Sequence, residues 1–175
     1  MTDLASLETP AVLIDEDIVE RNIHEAQVQF DRVGVALRPH IKTHKLVRFA
    51  RKQLAAGAVG ITCQKTSEAE VFARAGCDDI TITYNIIGAE KLARLRLLAG
   101  MARITVVADS AEVIAGLSNA FADATTPLNV LVECDTGLGR CGVQSPEAAV
   151  ALARTVAASP GLRFAGLMTY PAPFS

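Results

Sequence analysis

Tryptophan is absent from the 175 residues, and aromatic residues amount to only 5%. So few rings cannot build the stacking surface used for single-stranded nucleic acid. Charge of one sign is missing too. Seventeen Lys and Arg stand against nineteen Asp and Glu, for a formal net charge of −2, so there is no electrostatic footprint for nucleic acid or an anionic membrane. No apolar run reaches the length of about eighteen residues that marks a bilayer span. The start, Met1-Thr2-Asp3-Leu4, lacks the basic and then apolar build of a signal peptide. Cysteine is sparse and unpaired in spacing: Cys63, Cys77, Cys134 and Cys141 form no Cys-x-x-Cys. They read as reduced thiols of a cytoplasmic protein without a structural zinc site. What the chain does have is apolar mass. Half of its residues are hydrophobic, which excludes a disordered chain and supplies one domain with a core.

Its most concentrated chemistry is Leu37-Arg38-Pro39-His40-Ile41-Lys42-Thr43-His44-Lys45, with three basic side chains and two histidines in nine residues. Pro39 pushes Arg38 towards extended geometry, and Thr43 is a candidate N-cap for the amphipathic segment that follows. Lys42 is therefore expected at the C-terminal end of a strand over residues 35–41. A lysine there is costly unless paired or used. Desolvation and neighbouring cations lower the pKa of such an amine and turn it into a nucleophile towards a carbonyl. The spacing of His40 and His44 imitates a metal pair but lacks the Glu of H-E-x-x-H, and Pro39 keeps His40 out of a helix, so no metal site is expected from these two.

Around this stretch the chain divides into an N-terminal piece, residues 1–34, and a repeating part, 35–175. In the first, Thr9–Ile14 reads as an edge strand with a proline at its start, and Asp15–Val33 as an amphipathic helix closed by Gly34. From residue 35 strands and helices alternate. Strands are expected at 35–41, 58–63, 79–84, 103–108, 127–134 and 162–170. Helices are expected at 46–56, 67–75, 89–99, from Asp109 or Ser110 to about Ala124, and from Pro146, capped by Ser145, to a stop before Gly161. The strands look like continuous apolar runs, as in a parallel sheet covered on both faces. Six strands and five helices in strict alternation favour a (β/α) barrel or a doubly wound sheet. An eight-stranded barrel needs two further units and about 250 residues. The expectation is thus an open six-stranded α/β domain or the front part of a barrel, whose unclosed edges would need covering.

In either architecture ligands bind at the C-terminal strand ends. Those ends carry His40, Lys42, Thr43, His44, Gln64, Lys65, Tyr84, Asn85, Asp109, Glu133, Asp135, Thr136, Arg140, Thr169 and Tyr170. One motif misleads. Gly137-Leu138-Gly139-Arg140-Cys141-Gly142 matches G-x-G-x-x-G, yet Ser145-Pro146 start the helix after the last glycine and no acidic residue follows Glu147. A dinucleotide site needs both features. The glycines better serve a tight loop that turns Arg140 back over the strand ends.

The runs LRPHIKTHK, GITCQKTSEAE, ECDTGLGRCGV and FAGLMTY, in this order, make the chain resemble the D-threonine aldolase and D-serine dehydratase-like family. Its members are fold-type III pyridoxal-phosphate enzymes, with a barrel shared with the alanine racemase N-terminal domain. The resemblance implies a (β/α)8 TIM-type barrel of which this chain holds the first six strands. It also implies a β-hydroxy-D-amino acid lyase using pyridoxal 5'-phosphate. Lys42 matches the lysine that forms the Schiff base with the cofactor, and Lys45 is the motif's second lysine. Arg140 matches an arginine near the cofactor's phenolic oxygen. Gln64 and Tyr170 fall at positions lining the cofactor pocket. By position, His40 is expected to hold the cofactor lysine and His44 the substrate carboxylate. GITCQK and GRCGV lie closer to the aldolase branch, which cleaves Cα–Cβ to glycine and an aldehyde. A dehydratase, a racemase and a non-catalytic cofactor-binding domain are the alternatives. The family further implies a homodimer and a C-terminal β domain with a divalent-metal site. Neither that domain nor metal ligands are found in this sequence.

Overall fold

The computed structural model describes residues 4–171. Helix α1 (Glu16–Arg32) starts at Asp15, whose Oδ1 accepts the Ile18 N–H at 3.1 Å. Then follow α2 (Val47–Ala55), β1 (Ile61–Cys63), α3 (Thr66–Arg74), β2 (Asp79–Ile82), α4 (Ala89–Ala99) and β3 (Arg103–Ala108). The chain continues with α5 (Ala111–Phe121), β4 (Leu128–Cys134), α6 (Pro146–Ala158) and β5 (Leu162–Thr169). Ser110 and Ser145 cap α5 and α6 through their hydroxyls, and Pro146 occupies the first turn of α6, as the cap signals predict.

The five strands are parallel and lie in the order β1-β2-β3-β4-β5. Each strand neighbours the next in sequence, so no switch point exists. A doubly wound sheet reverses its strand order and a barrel does not. The topology therefore selects the partial barrel. The register agrees. Thr62, Thr81, Thr105, Asn129 and Arg163 form one continuous row across the sheet. The alternate residues, Ile61, Ile80, Ile104, Val106, Val130 and Val132, are buried in one core with Phe72, Leu95, Leu98, Ile114 and Leu117 of the helices. Each such side chain contributes about 1.5–3 kcal/mol by leaving water. One face is thus apolar and helix-covered, and the other mixes Thr62, Thr81, Thr105 and Asn129 with Val107 and Leu131. That second face is buried as well, with Thr62, Thr81 and Asn129 at 7–8% exposure and Val107 at 0%, as expected of a sheet covered on both faces. Thr and Asn inside the strands carry the alternation that a count of apolar residues blurs.

Two expected strands change. Residues 35–40 join the edge of β1 without forming a full strand. The Val59 N–H donates to Leu37 O at 2.9 Å and the Thr62 N–H to Pro39 O at 2.8 Å, leaving a single bridge, His40 with Thr62. Pro39 has no N–H for the ladder. The expected N-terminal strand, residues 9–14, pairs with no strand among the described residues, and Val12 is 93% exposed. A lone extended segment has no neighbour to hold it in a sheet.

At the N-terminal end of the sheet the second face closes on Asp79. Its carboxylate accepts Arg38 Nη1 at 2.9 Å, Arg38 Nη2 at 3.0 Å and the Arg103 guanidinium. Burial pushes this carboxyl up, but the hydrogen bonds from Arg38 and Arg103 outweigh it and hold it below the usual range. Arg38 reaches Asp79 across Gly60, where a Cβ would meet the guanidinium and come within 2.7 Å of Asp79 O.

Candidate active site

The strand ends opposite this ion cluster carry the functional side chains. Lys42 sits in a single 3-10 turn, Ile41–Thr43, directly after His40. It follows the bridge and lies outside any strand. The turn is held from within: His40 Nδ1 accepts the Lys42 N–H at 3.2 Å, and Thr43 Oγ1 donates to His40 O at 3.3 Å. Thr43 therefore closes the turn and does not cap α2, whose N-cap is Leu46. Lys42 is exposed and forms no ion pair among the described residues, while Lys45 is tied to Glu68 at 3.1 Å. That difference leaves Lys42 as the open amine of the motif.

The two histidines part company. In each, Nδ1 accepts a backbone N–H, from Lys42 for His40 and from Leu46 for His44. The neutral ring therefore carries its proton on Nε2. His40 is half-buried beside Lys42. Burial first, then the Lys42 charge, push its imidazole below the ordinary value, with Gln64 and Glu68 acting the other way. Its Nε2 is buried without a hydrogen-bond partner. His44 instead packs edge-on against Phe49, with ring centroids 5.7 Å apart. It lines a cavity of about 360 Å³ between α1 and α2, with Val19, Ile23 and Gln53. The His44 ring, for which a substrate-binding role is expected, thus faces the helix layer.

Gln64, half-buried at the end of β1, lines a smaller cavity with Tyr84, Asn85, Lys91 and Arg94. Its backbone N–H donates to Glu68 Oε2 at 3.0 Å, so the first turn of α3 holds it. At the other edge of the sheet the loop after β4 turns back, as its glycines suggest. The Val143 N–H donates to Glu133 O at 2.9 Å and the Asp135 N–H to Val143 O at 3.0 Å. This return sets the Arg140 guanidinium 4.9 Å from the Tyr170 ring centre, within cation–π range. Glu133 is 2% exposed at the end of β4. Burial, then the Asp109 charge, raise its pKa, with Arg140 opposing.

Lys42, His40 and Gln64 thus meet at one edge of the sheet, and Arg140 and Tyr170 at the other, all at the same end. Sequence reasoning placed Glu133 and Asp109 at strand ends but gave them no task. The only signal for them was position. An open amine, an unpartnered Nε2–H donor and a guanidinium lying over a phenol ring fit a ligand that has a carbonyl for the amine and oxygens for the donors. Pyridoxal phosphate is such a ligand. Among the described residues no group of three or more His, Cys, Asp or Glu could hold a metal ion. No helix among them is long and apolar enough to cross a membrane.

A family profile described as the alanine racemase N-terminal domain matches residues 14–174. The D-threonine aldolase of Arthrobacter sp. is 45% identical over 167 residues, covering 95% of this chain and 44% of the relative. The D-threo-3-hydroxyaspartate dehydratase of Delftia sp. (strain HT23) is 35% identical over 169 residues, again 95% of this chain and 44% of the relative. Among solved structures, D-threonine aldolase from Filomicrobium marinum superposes with a TM-score of 0.90 at 44% identity, covering 94% of this chain and 44% of that one. The chain therefore spans less than half the length of each of these three relatives.

Proposed function

The chain belongs to the alanine racemase N-terminal domain family, and from that premise we propose that it is the cofactor-holding part of a pyridoxal-phosphate-dependent lyase. Its substrates are β-hydroxy-D-amino acids, and its reaction is of the aldolase type. The observation that carries this reading is the open amine of Lys42 in the turn at the C-terminal end of the sheet, in a chain 45% identical to a D-threonine aldolase. The aldolase branch is preferred because identity to the aldolase, 45%, exceeds identity to the dehydratase, 35%.

Pyridoxal phosphate, when bound, supplies a carbonyl for amines and a ring that takes up electrons released at a substrate Cα. The chain's own residues supply the rest. Lys42 offers the amine, and its turn is held by His40 through the Lys42 N–H. His40 accepts the Lys42 N–H at Nδ1, and burial and the Lys42 charge favour its neutral ring, so it presents an Nε2–H donor without adding a second cation beside the lysine. Arg140, steadied over Tyr170, is a fixed cation that favours a negatively charged oxygen of the ligand. Gln64 adds a neutral amide to the pocket wall.

The test is a titration of the protein with pyridoxal phosphate, followed by borohydride reduction and peptide mapping. An absorbance band near about 410–430 nm, with the adduct on Lys42 and its loss in Lys42→Ala, is the expected result. An adduct scattered over exposed lysines would sink the reading. Incubation with D-threonine then separates the branches. Acetaldehyde and glycine mark an aldolase; 2-oxobutanoate and ammonia mark a dehydratase.

A further inference from the structure

The loop that carries Arg140 is shaped from within and tied from outside. Asp135 shapes it by accepting the Gly137 N–H at 2.9 Å, the Gly139 N–H at 3.1 Å and Gln144 Nε2 at 3.0 Å. Its outside ties come from both neighbouring strands. Towards β5, Thr136 Oγ1 meets Thr169 Oγ1 at 2.7 Å. Towards β3, the Gly142 N–H donates to Asp109 Oδ2 at 3.0 Å. The other oxygen of the same carboxylate, Oδ1, accepts Asn85 Nδ2 at 2.8 Å. Asp109 thus joins the ends of β2 and β3 to the returning arm of the loop. Gly142 is built for this approach: its φ is +102°, and a Cβ there would lie 2.6 Å from the Cys134 carbonyl carbon.

We propose that Asp109 is a positioning residue: by accepting from Gly142 and Asn85 together it latches the loop that holds Arg140 in the active site. The latch itself is independent of the lyase reading; its catalytic consequence rests on that reading. A carboxylate is needed because two donors converge on it from opposite sides, and only two acceptor oxygens answer both. An amide at 109 answers one donor and turns its own N–H groups on the other.

That asymmetry supplies a rescue. In Asp109→Asn, the amide can accept from Gly142 only by facing its NH2 towards residue 85, where Asn85 must turn its amide over and give up its own donation. Adding Asn85→Asp restores a donor–acceptor pair with the direction reversed. The new carboxylate would not stand alone, since Lys65, Lys91 and Arg94 line the same cavity as Asn85. Asp109→Asn also removes a negative charge near Glu133 and Arg140. The swap keeps that charge at position 85 instead, so it separates a lost latch from a lost charge.

Asp109→Asn, Asn85→Asp and the double variant would be compared with the parent as cofactor-loaded protein. Amide exchange of the peptide spanning 135–144 reads the latch, and kcat/KM with D-threonine reads Arg140. Asp109→Asn should speed exchange of that peptide and lower kcat/KM by about tenfold or more, the scale of a misplaced active-site group. The double variant should regain both to within about threefold, and circular dichroism should match the parent throughout. Unchanged exchange in Asp109→Asn would overturn the latch. Faster exchange with unchanged kcat/KM would overturn the link to Arg140. Loss in both that the double variant fails to recover would assign the effect to charge. A parent protein that binds no pyridoxal phosphate would defeat the lyase reading and the catalytic consequence together, while exchange still decides the latch.

Discussion

Gly60→Ala is the smallest change that should unsettle this fold, and its cost can be worked from three contacts. A methyl at position 60 overlaps Arg38 Nη1 and comes within 2.7 Å of Asp79 O. The carbonyl belongs to β2, paired to β1 from Ile61 onward, so it cannot retreat without opening the sheet. Arg38 can swing away, but then loses its bonds to Asp79 O at 3.3 Å, Oδ1 at 2.9 Å and Oδ2 at 3.0 Å. Arg103 stays on the carboxylate, and the Arg38 side chain is 27% exposed, so water replaces part of what is lost. Discounted for that exposure, the lost guanidinium bonds are worth about 2 kcal/mol. Crowding against backbone adds about 1–3 kcal/mol. The expected destabilisation is therefore about 4 kcal/mol, a large fraction of a domain's stability. Urea unfolding followed by circular dichroism would measure it, with Arg38→Ala and the double variant completing a cycle. In the Arg38→Ala background the same methyl should cost about 2 kcal/mol less, because the guanidinium is no longer in its way. A cost below about 1 kcal/mol, typical of an unremarkable surface site, or an equal cost in both backgrounds, would refute the reasoning.

Two further outcomes follow from the same interior. The depressed folded pKa of Asp79 means its ionisation favours the folded state fully above the unfolded value of about 3.9 and ceases to do so as pH falls through the folded pKa. The stability gap between the parent and Asp79→Asn should hold steady from pH 7 to about 5 and shrink below about pH 4; a gap that widens in acid would contradict this. Cys63 is fully buried, and burial, then Glu68 and Cys77, push its thiol up to about 12. Iodoacetamide on the native protein at pH 8 should spare Cys63 and label the half-buried Cys134 and Cys141, and mass mapping that finds Cys63 modified first would count against the packing.

The beat of the fold was legible because each helix announces itself locally. Ser110, one of the two expected caps of its helix, and Ser145 with Pro146 cap as predicted, and Arg103–Ala108 is a strand at its expected bounds. What was not legible depends on partners. Residues 9–14 have strand composition, but strand formation needs a neighbour that local sequence cannot name. Residues 35–40 have a neighbour in β1, and Pro39 thins the ladder to one bridge. The sheet buried on both faces was legible from its apolar runs, whereas the polar make-up of the second face rests on Thr62, Thr81 and Asn129, which are buried between apolar neighbours and face the other way.

The site divides along the same line. Lys42 could be placed from its own segment, since Pro39 and the apolar run before it bring the lysine to the sheet's C-terminal end. His44 could not, because a 3-10 turn sends residues 42 and 44 to different sides and the i, i+4 spacing with His40 is silent about which. Asp109 and Glu133 needed the loop after β4 to fold back upon them. Arg140 and Lys42 stand towards opposite edges of the sheet, so their placement at one end is a property of the whole topology. Sequential parallel strands with one helix-covered face coil towards the other face. Coiling brings the first and last strand ends around one mouth. On this view the Asp79 cluster keeps neighbouring strands in register at one end of the sheet, and the proposed Asp109 latch at the other steadies the loop that carries Arg140.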